Sequence, residues 1–354
     1  MQHNPPNANE TMNTWPNGAS NLRRRPSNPH DIFLGNPKIS SEPWWKSILS
    51  GHQDKTGYTA FILSGGGNRG AAQVGMLSAL LEHSIFPDFI IGASAGALNG
   101  TSFAISPSRQ TLSELFDLWT KMTKNSLFPP RRFGSTWRYA QRGSYVYSND
   151  ALENIIREHI HISDLKDTQI PVEIVVTDLL NGEPHRFHSG DPTPILLASS
   201  ALPGTFSPIE INGKLYIDGG IADDVPIRRA LTLGANKIYV LYCSSLDRTH
   251  KTFTRPIEAV LDSFTLAKMA RLKADIADVD ANAQITVFES RLAQGVAWLD
   301  FSHAHALIED GYKSALEALK GHETAGLTPT KSYFSTHPPK RDRFGEVGYK
   351  PISK

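Results

Sequence analysis

Phe89-Ile90-Ile91-Gly92-Ala93-Ser94-Ala95-Gly96, running on into the apolar stretch Ala97–Ile105, decides how the rest of the chain is read. An apolar strand ends at Ile91, small residues follow, and a helical pattern begins at once. This is the strand–turn–helix context that a G-x-S-x-G elbow requires. Gly92 and Gly96 are needed because so sharp a turn brings neighbouring backbone too close for side chains. The turn lifts the Ser94 hydroxyl out of the sheet and sets it at a helix N-terminus, where the dipole favours developing negative charge.

Upstream, Thr59–Leu63 is a short β-rich run that ends at glycines. Ala71–Leu81 then places Val74, Leu77, Ala79, Leu80 and Leu81 at helical spacings. Downstream, Val172–Thr177 and Lys237–Tyr242 are strands of nearly continuous apolar character, the mark of a sheet covered on both faces. Ile195–Ala201, Ile227–Leu233 and His305–Leu319 read as helices. The alternation predicts an α/β fold, a three-layer sandwich whose central, mostly parallel sheet is flanked by helices.

The flanks differ in composition. Residues 1–56 are rich in Asn, Pro and Ser around Arg23-Arg24-Arg25, too polar to offset their ordering entropy, and are expected to be disordered. Residues 321–354, with Pro338-Pro339 and scattered basic residues, read as a flexible C-terminal tail. The body is 57–320. A formal net charge of +1 gives no field that would attract nucleic acid. Cys243 is the one cysteine, so no intramolecular disulfide forms, and a buried inert thiol suits a reducing compartment. No secretory signal and no run of ~18 apolar residues is visible. A cytoplasmic protein, peripheral at membranes, is expected, although export by a signal-less route would leave no mark. Asn99-Gly100-Thr101 lies in an apolar helical context and carries no weight as a glycosylation site.

Ser64-Gly65-Gly66-Gly67-Asn68-Arg69-Gly70 links the first strand to the first long helix. Its glycines allow close backbone approach, and free N–H groups at a helix start suit an anion or a developing oxyanion. The run also matches G-x-G-x-x-G. A dinucleotide fold would want an acid about twenty residues on, where the chain instead runs into Gly92–Gly96.

A serine nucleophile needs a base. His250, His303, His305, His322 and His337 follow Ser94, but none lies on a defensible strand-to-loop junction; His303 and His305 open a helical pattern and read as surface or capping residues. Tyr216-Ile217-Asp218-Gly219-Gly220 ends a short apolar strand and is the better candidate, because it joins the glycine-rich turn and the elbow in one constellation.

At these residues the chain resembles the patatin-like phospholipases, bacterial members included. Their pattern G-G-G-x-R/K-G, then G-x-S-x-G, then D-G-G or D-G-A is met in order at Gly65–Gly70, Gly92–Gly96 and Asp218–Gly220. Thr177-Asp178 with Gly182, the run Ser199–Gly204 and Pro226 also match. The resemblance runs from Thr59 to Cys243, with a weaker echo in His305–Leu319. One departure is Asp223-Asp224-Val225-Pro226, which carries an acid where an asparagine often precedes the proline.

The resemblance implies a patatin-like lipid acyl hydrolase that releases fatty acids from phospholipids or related lipids through an acyl-enzyme. Ser94 would be the nucleophile and Asp218 the proton acceptor of a Ser–Asp dyad. The oxyanion hole falls on Gly65, Gly66, Gly67, Asn68, Arg69 and Gly70, with the N–H groups of Gly66, Gly67 and Asn68 as donors. Gly92, Gly96, Gly219 and Gly220 shape the elbow and the base turn. Arg69 either orients the loop, meets a lipid phosphate or forms a surface salt bridge. No metal and no cofactor is expected; Asp218, Asp223 and Asp224 lack calcium-loop spacing. Segment 106–150 interleaves Trp119, Phe128, Phe133, Trp137, Tyr139, Tyr145 and Tyr147 with Arg131, Arg132, Arg138 and Arg142. It reads as a cap over the acyl pocket that packs as a subdomain or touches a membrane surface. The competing readings are a Ser-His-Asp esterase using His303 or His305, and a catalytically silent lipid-binding protein of the same fold.

Overall fold

The computed structural model describes residues 57–128, 146–247, 256–279 and 282–324. The expected tail at 1–56, the tail from 325 onward, and Phe133, Trp137, Tyr139, Tyr145, Arg131, Arg132, Arg138 and Arg142 of the cap lie outside them.

The strands are β1 (Tyr58–Leu63), β2 (Phe89–Ala93), β3 (Val172–Asp178), β4 (Pro184–Phe187), β5 (Ile209–Ile211), β6 (Lys214–Asp218), β7 (Ala235–Tyr242) and β8 (Gln284–Glu289). The helices are α1 (Ala71–Glu82), α2 (Ala95–Ile105), α3 (Arg109–Lys121), the single turn α4 (Lys124–Leu127), α5 (Asp150–His159), α6 (Pro192–Ser199), α7 (Ile227–Thr232), α8 (Pro256–Ala277) and α9 (Ala304–Thr324). The sheet order is β5-β6-β3-β2-β1-β7-β8, with β4 also paired to β3. β3, β2, β1, β7 and β8 run parallel, and β4, β5 and β6 add an antiparallel edge.

Alternation along the strands divides the core in two. Phe61, Leu63 and Ile90 face a layer built from α1, α2, α3 and α9, where they meet Leu77, Phe103, Trp119 and Leu307. Ala60, Ile62, Phe89 and Ile91 face the other layer, against Ile227 and Ala230 of α7 and Leu272 of α8. Both faces of the central strands are therefore dry, which is why they read as continuous apolar runs. Each fully buried Phe, Leu or Ile contributes about 1.5–3 kcal/mol.

The register of β3 positions the site. At Ile174 and Val175 it pairs with β2 on one edge and β4 on the other. At Val176 and Thr177 β4 still holds its edge, while β6 has replaced β2 on the opposite one. Ala93 lies across from Val175 and Asp218 across from Val176. The strand carrying Asp218 thus takes over the edge where β2 ends, which brings Asp218 to Ser94.

Two boundaries differ from the sequence reading, and two elements are new. α6 starts at Pro192 rather than Ile195, because the Asp191 carboxylate accepts the Thr193 N–H at 2.9 Å and proline suits the first helical turn. α9 runs to Thr324, past the expected boundary at 320. β8 and α8 were not anticipated; α8 leaves Val260, Phe264 and Leu266 exposed, so its sequence shows no clean apolar stripe.

Candidate active site

The elbow is built as its glycines require. Ser94 sits at φ 53° and ψ −125°, a conformation that costs a non-glycine residue ~1–3 kcal/mol. A Cβ on Gly96 would lie 2.2 Å from the Leu63 carbonyl oxygen, so only glycine lets α2 cross that close to β1. The strained residue is held from both sides. Its N–H donates to Ser199 Oγ at 2.9 Å, and Ser199 Oγ in turn donates to the Val175 carbonyl at 2.7 Å. Ser94 is buried, at 8% exposure, at the N-terminus of the 11-residue α2.

Asp218 arrives at the end of β6 and is 4% exposed. Its N–H donates to the Ala201 carbonyl at 3.0 Å, and the Thr177 hydroxyl donates to its carbonyl at 2.8 Å. Its Oδ1 accepts the Gly220 N–H at 2.8 Å, and the nearby Ser94 hydroxyl favours its charged form. Burial pushes the Asp218 carboxyl above the ordinary aspartate value; Lys268, the Ser94 hydroxyl and the Gly220 N–H pull the other way.

The glycine-rich turn forms a short 3-10 turn, Gly67–Gly70, that leads into α1. Its residues divide by role. The Gly65 N–H is taken by Asp224 Oδ1 at 3.0 Å and is not free for an anion. The N–H groups of Gly66, Gly67 and Asn68 take no partner among the described residues. Arg69 is buried, at 3% exposure. Its Nη2 donates to the Val296 carbonyl at 2.9 Å and its guanidinium lies 5.0 Å over the Trp298 ring. Of the readings weighed for Arg69, orienting the loop is the one that fits this burial. Asn68 Nδ2 donates to the Ala297 and Asp300 carbonyls at 2.9 and 2.7 Å. The segment 296–300 therefore fastens the turn from outside, a role with no signal in its own sequence.

Beneath the turn runs a neutral network. Trp119 Nε1 donates to Asn99 Oδ1 at 2.9 Å, and Asn99 Nδ2 donates to Gln73 Oε1 and to the Gly70 carbonyl, both at 2.9 Å. Gln73 Nε2 closes it on the Ser64 and Leu241 carbonyls at 2.8 and 3.0 Å. Asn99, at 1% exposure, is thus a structural amide. Cys243 packs behind Gly66, its N–H on Ser64 Oγ at 2.9 Å, and burial pushes its thiol up to about 12.

The surroundings of Asp218 are charged. Asp223 Oδ2 accepts Arg186 at 2.6 Å and its Oδ1 meets Arg271 at 3.3 Å. Asp224 Oδ1 meets Lys268 Nζ at 3.0 Å. Glu173 on β3, fully buried, is held by Arg229 at 2.7 Å. Asp223 and Asp224 are therefore engaged by protein cations. His303 lies on the surface with Nδ1 3.2 Å from Asp300, and the His305 ring packs on Phe116 with centroids 5.6 Å apart. Among the described residues no histidine is hydrogen-bonded to Ser94 or Asp218. His250 and His337 lie outside them. Of the cap aromatics, Trp119 and Phe128 are buried, and Phe128 packs on Tyr147, Phe206 and Phe301.

A three-layer α/β domain with a serine elbow, an adjoining buried aspartate and a glycine-rich turn defines a class of fold and site. A family model described as Patatin-like phospholipase matches residues 61–231, and this segment of the chain is similar to that family. Similar curated proteins include Lysophospholipase NTE1 of Mycosarcoma maydis, 24% identical over 76% of this chain and 15% of that protein. Patatin-like phospholipase domain-containing protein 7 of Rattus norvegicus is 30% identical over 54% of this chain and 14% of that one. The chain spans less than a fifth of the length of these relatives. Among solved structures, VipD from Legionella pneumophila matches with TM-score 0.40 and 13% identity, covering 75% of this chain and 67% of that one. Full-length ExoU in complex with SpcU from Pseudomonas aeruginosa matches with TM-score 0.38 and 15% identity, over 75% and 54%. No helix among the described residues is long and apolar enough to cross a membrane.

Proposed function

We propose that the chain is a serine acyl-ester hydrolase that releases fatty acids from phospholipids or lysophospholipids by a Ser94–Asp218 dyad. The observation that carries this reading is the convergence of Ser94, at the strained elbow that opens α2, with the buried Asp218 carboxylate: Ala93 and Asp218 lie across from the successive residues Val175 and Val176 on one edge of β3. Beside it, a Cβ on Gly65 would lie 3.0 Å from the Ser94 Cβ, so the glycine-rich turn stands next to the nucleophile.

In the acylation step Ser94 Oγ attacks the ester carbonyl carbon while its proton passes to Asp218. The oxyanion is stabilised by the N–H groups of Gly66, Gly67 and Asn68 and by the α2 terminus, one such donor supplying about 3 kcal/mol. Collapse of the tetrahedral species breaks the ester C–O bond, and the departing alcohol takes the proton back from Asp218. A water, deprotonated by Asp218, then attacks the acyl-Ser94 carbonyl; the fatty acid leaves and Ser94 regains its proton. Asp218 is a stronger base here than in water because burial raises its pKa.

Segment 57–324 forms the catalytic body in this reading. Lipid-surface contact belongs to the same proposal. The β3–β4 turn leaves Leu180 96% exposed beside Leu179 and Leu215, on the end of β3 where Asp218 also lies. The protein would work peripherally at a membrane on the cytoplasmic side, a reducing compartment compatible with its one buried thiol.

The test is fatty-acid release from a panel of phospholipids, lysophospholipids and glycerides, wild type against Ser94→Ala. Release that vanishes with Ser94 is expected. Release that persists in Ser94→Ala, or none from any lipid by folded wild type, would overturn the reading. Fluorophosphonate labelling at Ser94 separates an active serine from a silent lipid-binding protein.

A further inference from the structure

Lys268 reaches the site from the layer opposite to the nucleophile helix. It stands on α8, and its ammonium sits 3.0 Å from Asp224 Oδ1. A Cβ on Gly220 would lie 2.4 Å from Lys268 Nζ, 2.5 Å from Asp224 Oδ1 and 3.1 Å from Asp218 Oδ1. The base turn therefore leaves open the space in which the lysine pairs with Asp224 beside the Asp218 carboxylate. Asp224 Oδ1 also accepts the Gly65 N–H at 3.0 Å, whereas its Oδ2 has no hydrogen-bond partner among the described residues. A neutral amide at position 224 could hold Gly65 equally well. The negative charge has a use only toward the lysine.

The groups facing this ammonium are Asp224 and Asp218 from the base turn and Cys243 from the end of β7. Those facing the Asp218 carboxylate are Lys268, the Ser94 hydroxyl, the Gly220 N–H and Asp224. Arg271, one turn further along α8, is drawn away to Asp223 and Asp275, at 3.3 and 3.7 Å. The Asp224 charge raises the proton affinity of Asp218, and the Lys268 charge lowers it more. Burial works against the lysine's charge, yet Asp224 and Asp218 outweigh it and hold the ammonium above its ordinary value.

We propose that Lys268 is a positioning residue of the acyl-transfer site, the shared countercharge of Asp218 and Asp224, which through Asp224 also fixes the entry of the glycine-rich turn. The inference rests on the Ser94–Asp218 reading. Lys268 touches no reacting atom; it governs the charge on the base.

The experiment is the pH dependence of kcat/KM for ester hydrolysis in wild type, Lys268→Met, Asp224→Asn and the double variant, with thermal melts to verify folding. Lys268→Met should move the acid limb up by about one pH unit, an approximately tenfold loss below it. Asp224→Asn, which leaves the lysine to Asp218 alone, should move the limb down. The double variant should fall between wild type and Lys268→Met. Opposite shifts from two substitutions at one contact are not the result of a merely structural role. Acid limbs that coincide with wild type in the folded variants would overturn the proposal. If Lys268→Met does not fold, the charge-balanced double variant decides: a limb above wild type supports the proposal and a coincident limb overturns it. Asp218→Asn, run in the same series, tests the dyad separately, because wild-type activity there would remove the base and not the lysine.

Discussion

The proposed nucleophile and its proposed base are held by opposite kinds of chemistry. Ser94 is fixed by backbone and neutral groups: a tight glycine turn, Ser199, and below it the chain of amides Trp119–Asn99–Gln73. Asp218 is fixed by backbone bonds within a frame of ion pairs whose carboxylates are buried: Lys268 with Asp224, Arg186 and Arg271 with Asp223, and Arg229 with Glu173. The difference teaches where pH enters. Nothing in the elbow or its network titrates in the ordinary range, so its geometry persists across pH. In the proposed mechanism Asp218 changes its charge during turnover, and its surroundings are arranged as a set of charges. A side built from ions also depends on each partner, since a lone buried charge is costly.

The largest effect that probes this contrast is at the two residues proposed to react. Ser94→Ala and Asp218→Asn should each lower kcat/KM by at least about a thousandfold. The two variants should part in stability. Asp218 has its pKa raised by burial, so its contribution to stability is present below the ordinary value of 3.8 and is lost as pH rises through the raised one. Near neutral pH the buried carboxylate is therefore a cost, and Asp218→Asn should melt at or above the wild-type temperature while Ser94→Ala shows no pH-dependent gain. Melting curves at pH 5 and 8 compare them; a clear fall in stability of Asp218→Asn at pH 8 would break the contrast. By the same sign, wild-type kcat/KM should fall as pH drops through a value above 3.8, because protonated Asp218 cannot accept the serine proton. An acid limb at or below that value would place the base elsewhere.

Next in size is Glu173→Gln. Glu173 lies on β3 with no exposure and takes two hydrogen bonds from Arg229, Nε to Oε1 at 3.0 Å and Nη2 to Oε2 at 2.7 Å. Removing its charge leaves Arg229 and Arg186 short of a partner. Both guanidiniums keep some access to water, at 29% and 24% side-chain exposure, so the loss should be about 2 kcal/mol rather than the larger value of a sealed pair. Chemical denaturation measures it. A change under ~0.5 kcal/mol would show that the ionic frame is dispensable to the fold.

How much of this was legible in the sequence follows the same division. The parallel core was visible because strands buried on both faces show unbroken apolar runs, as in Phe61–Leu63 and Phe89–Ile91. Ser94 and Asp218 were visible through the glycines that sharp turns require. Gln73 and Asn99 left a weaker signal, a polar amide inside an apolar helix, and Asn99 was read only as an empty sequon. Lys268 left none. A lysine on a helix looks like any solvated lysine, and its meaning comes from a partner in Asp224 that sits on another layer. The same holds for Val296–Asp300, whose carbonyls do the work: a backbone oxygen carries no mark of identity. Local backbone demands are written into residue types, whereas pairing between distant elements is settled only by packing.

The smallest effect is the sharpest check on the neutral side. Trp119→Phe removes a single donor, the indole N–H that meets Asn99 Oδ1 at 2.9 Å, and keeps most of the aromatic bulk in the core. Asn99 would keep both bonds from its Nδ2 to Gly70 and Gln73, so the network loosens at one end without collapsing. A neutral hydrogen bond of this kind contributes about 1 kcal/mol, with the buried acceptor left unpaired adding to the cost. Stability should fall by about 1–2 kcal/mol, by the same amount at pH 5 and pH 8, and the acid limb of kcat/KM should stay in place because no charge near Asp218 has changed. A loss that differed between the two pH values, or a limb that moved, would mean that the amide chain and the ionic frame are coupled through the glycine-rich turn. Gly65, bonded to Asp224 on one side, and Gly70, bonded to Asn99 on the other, are the two points through which such coupling would pass.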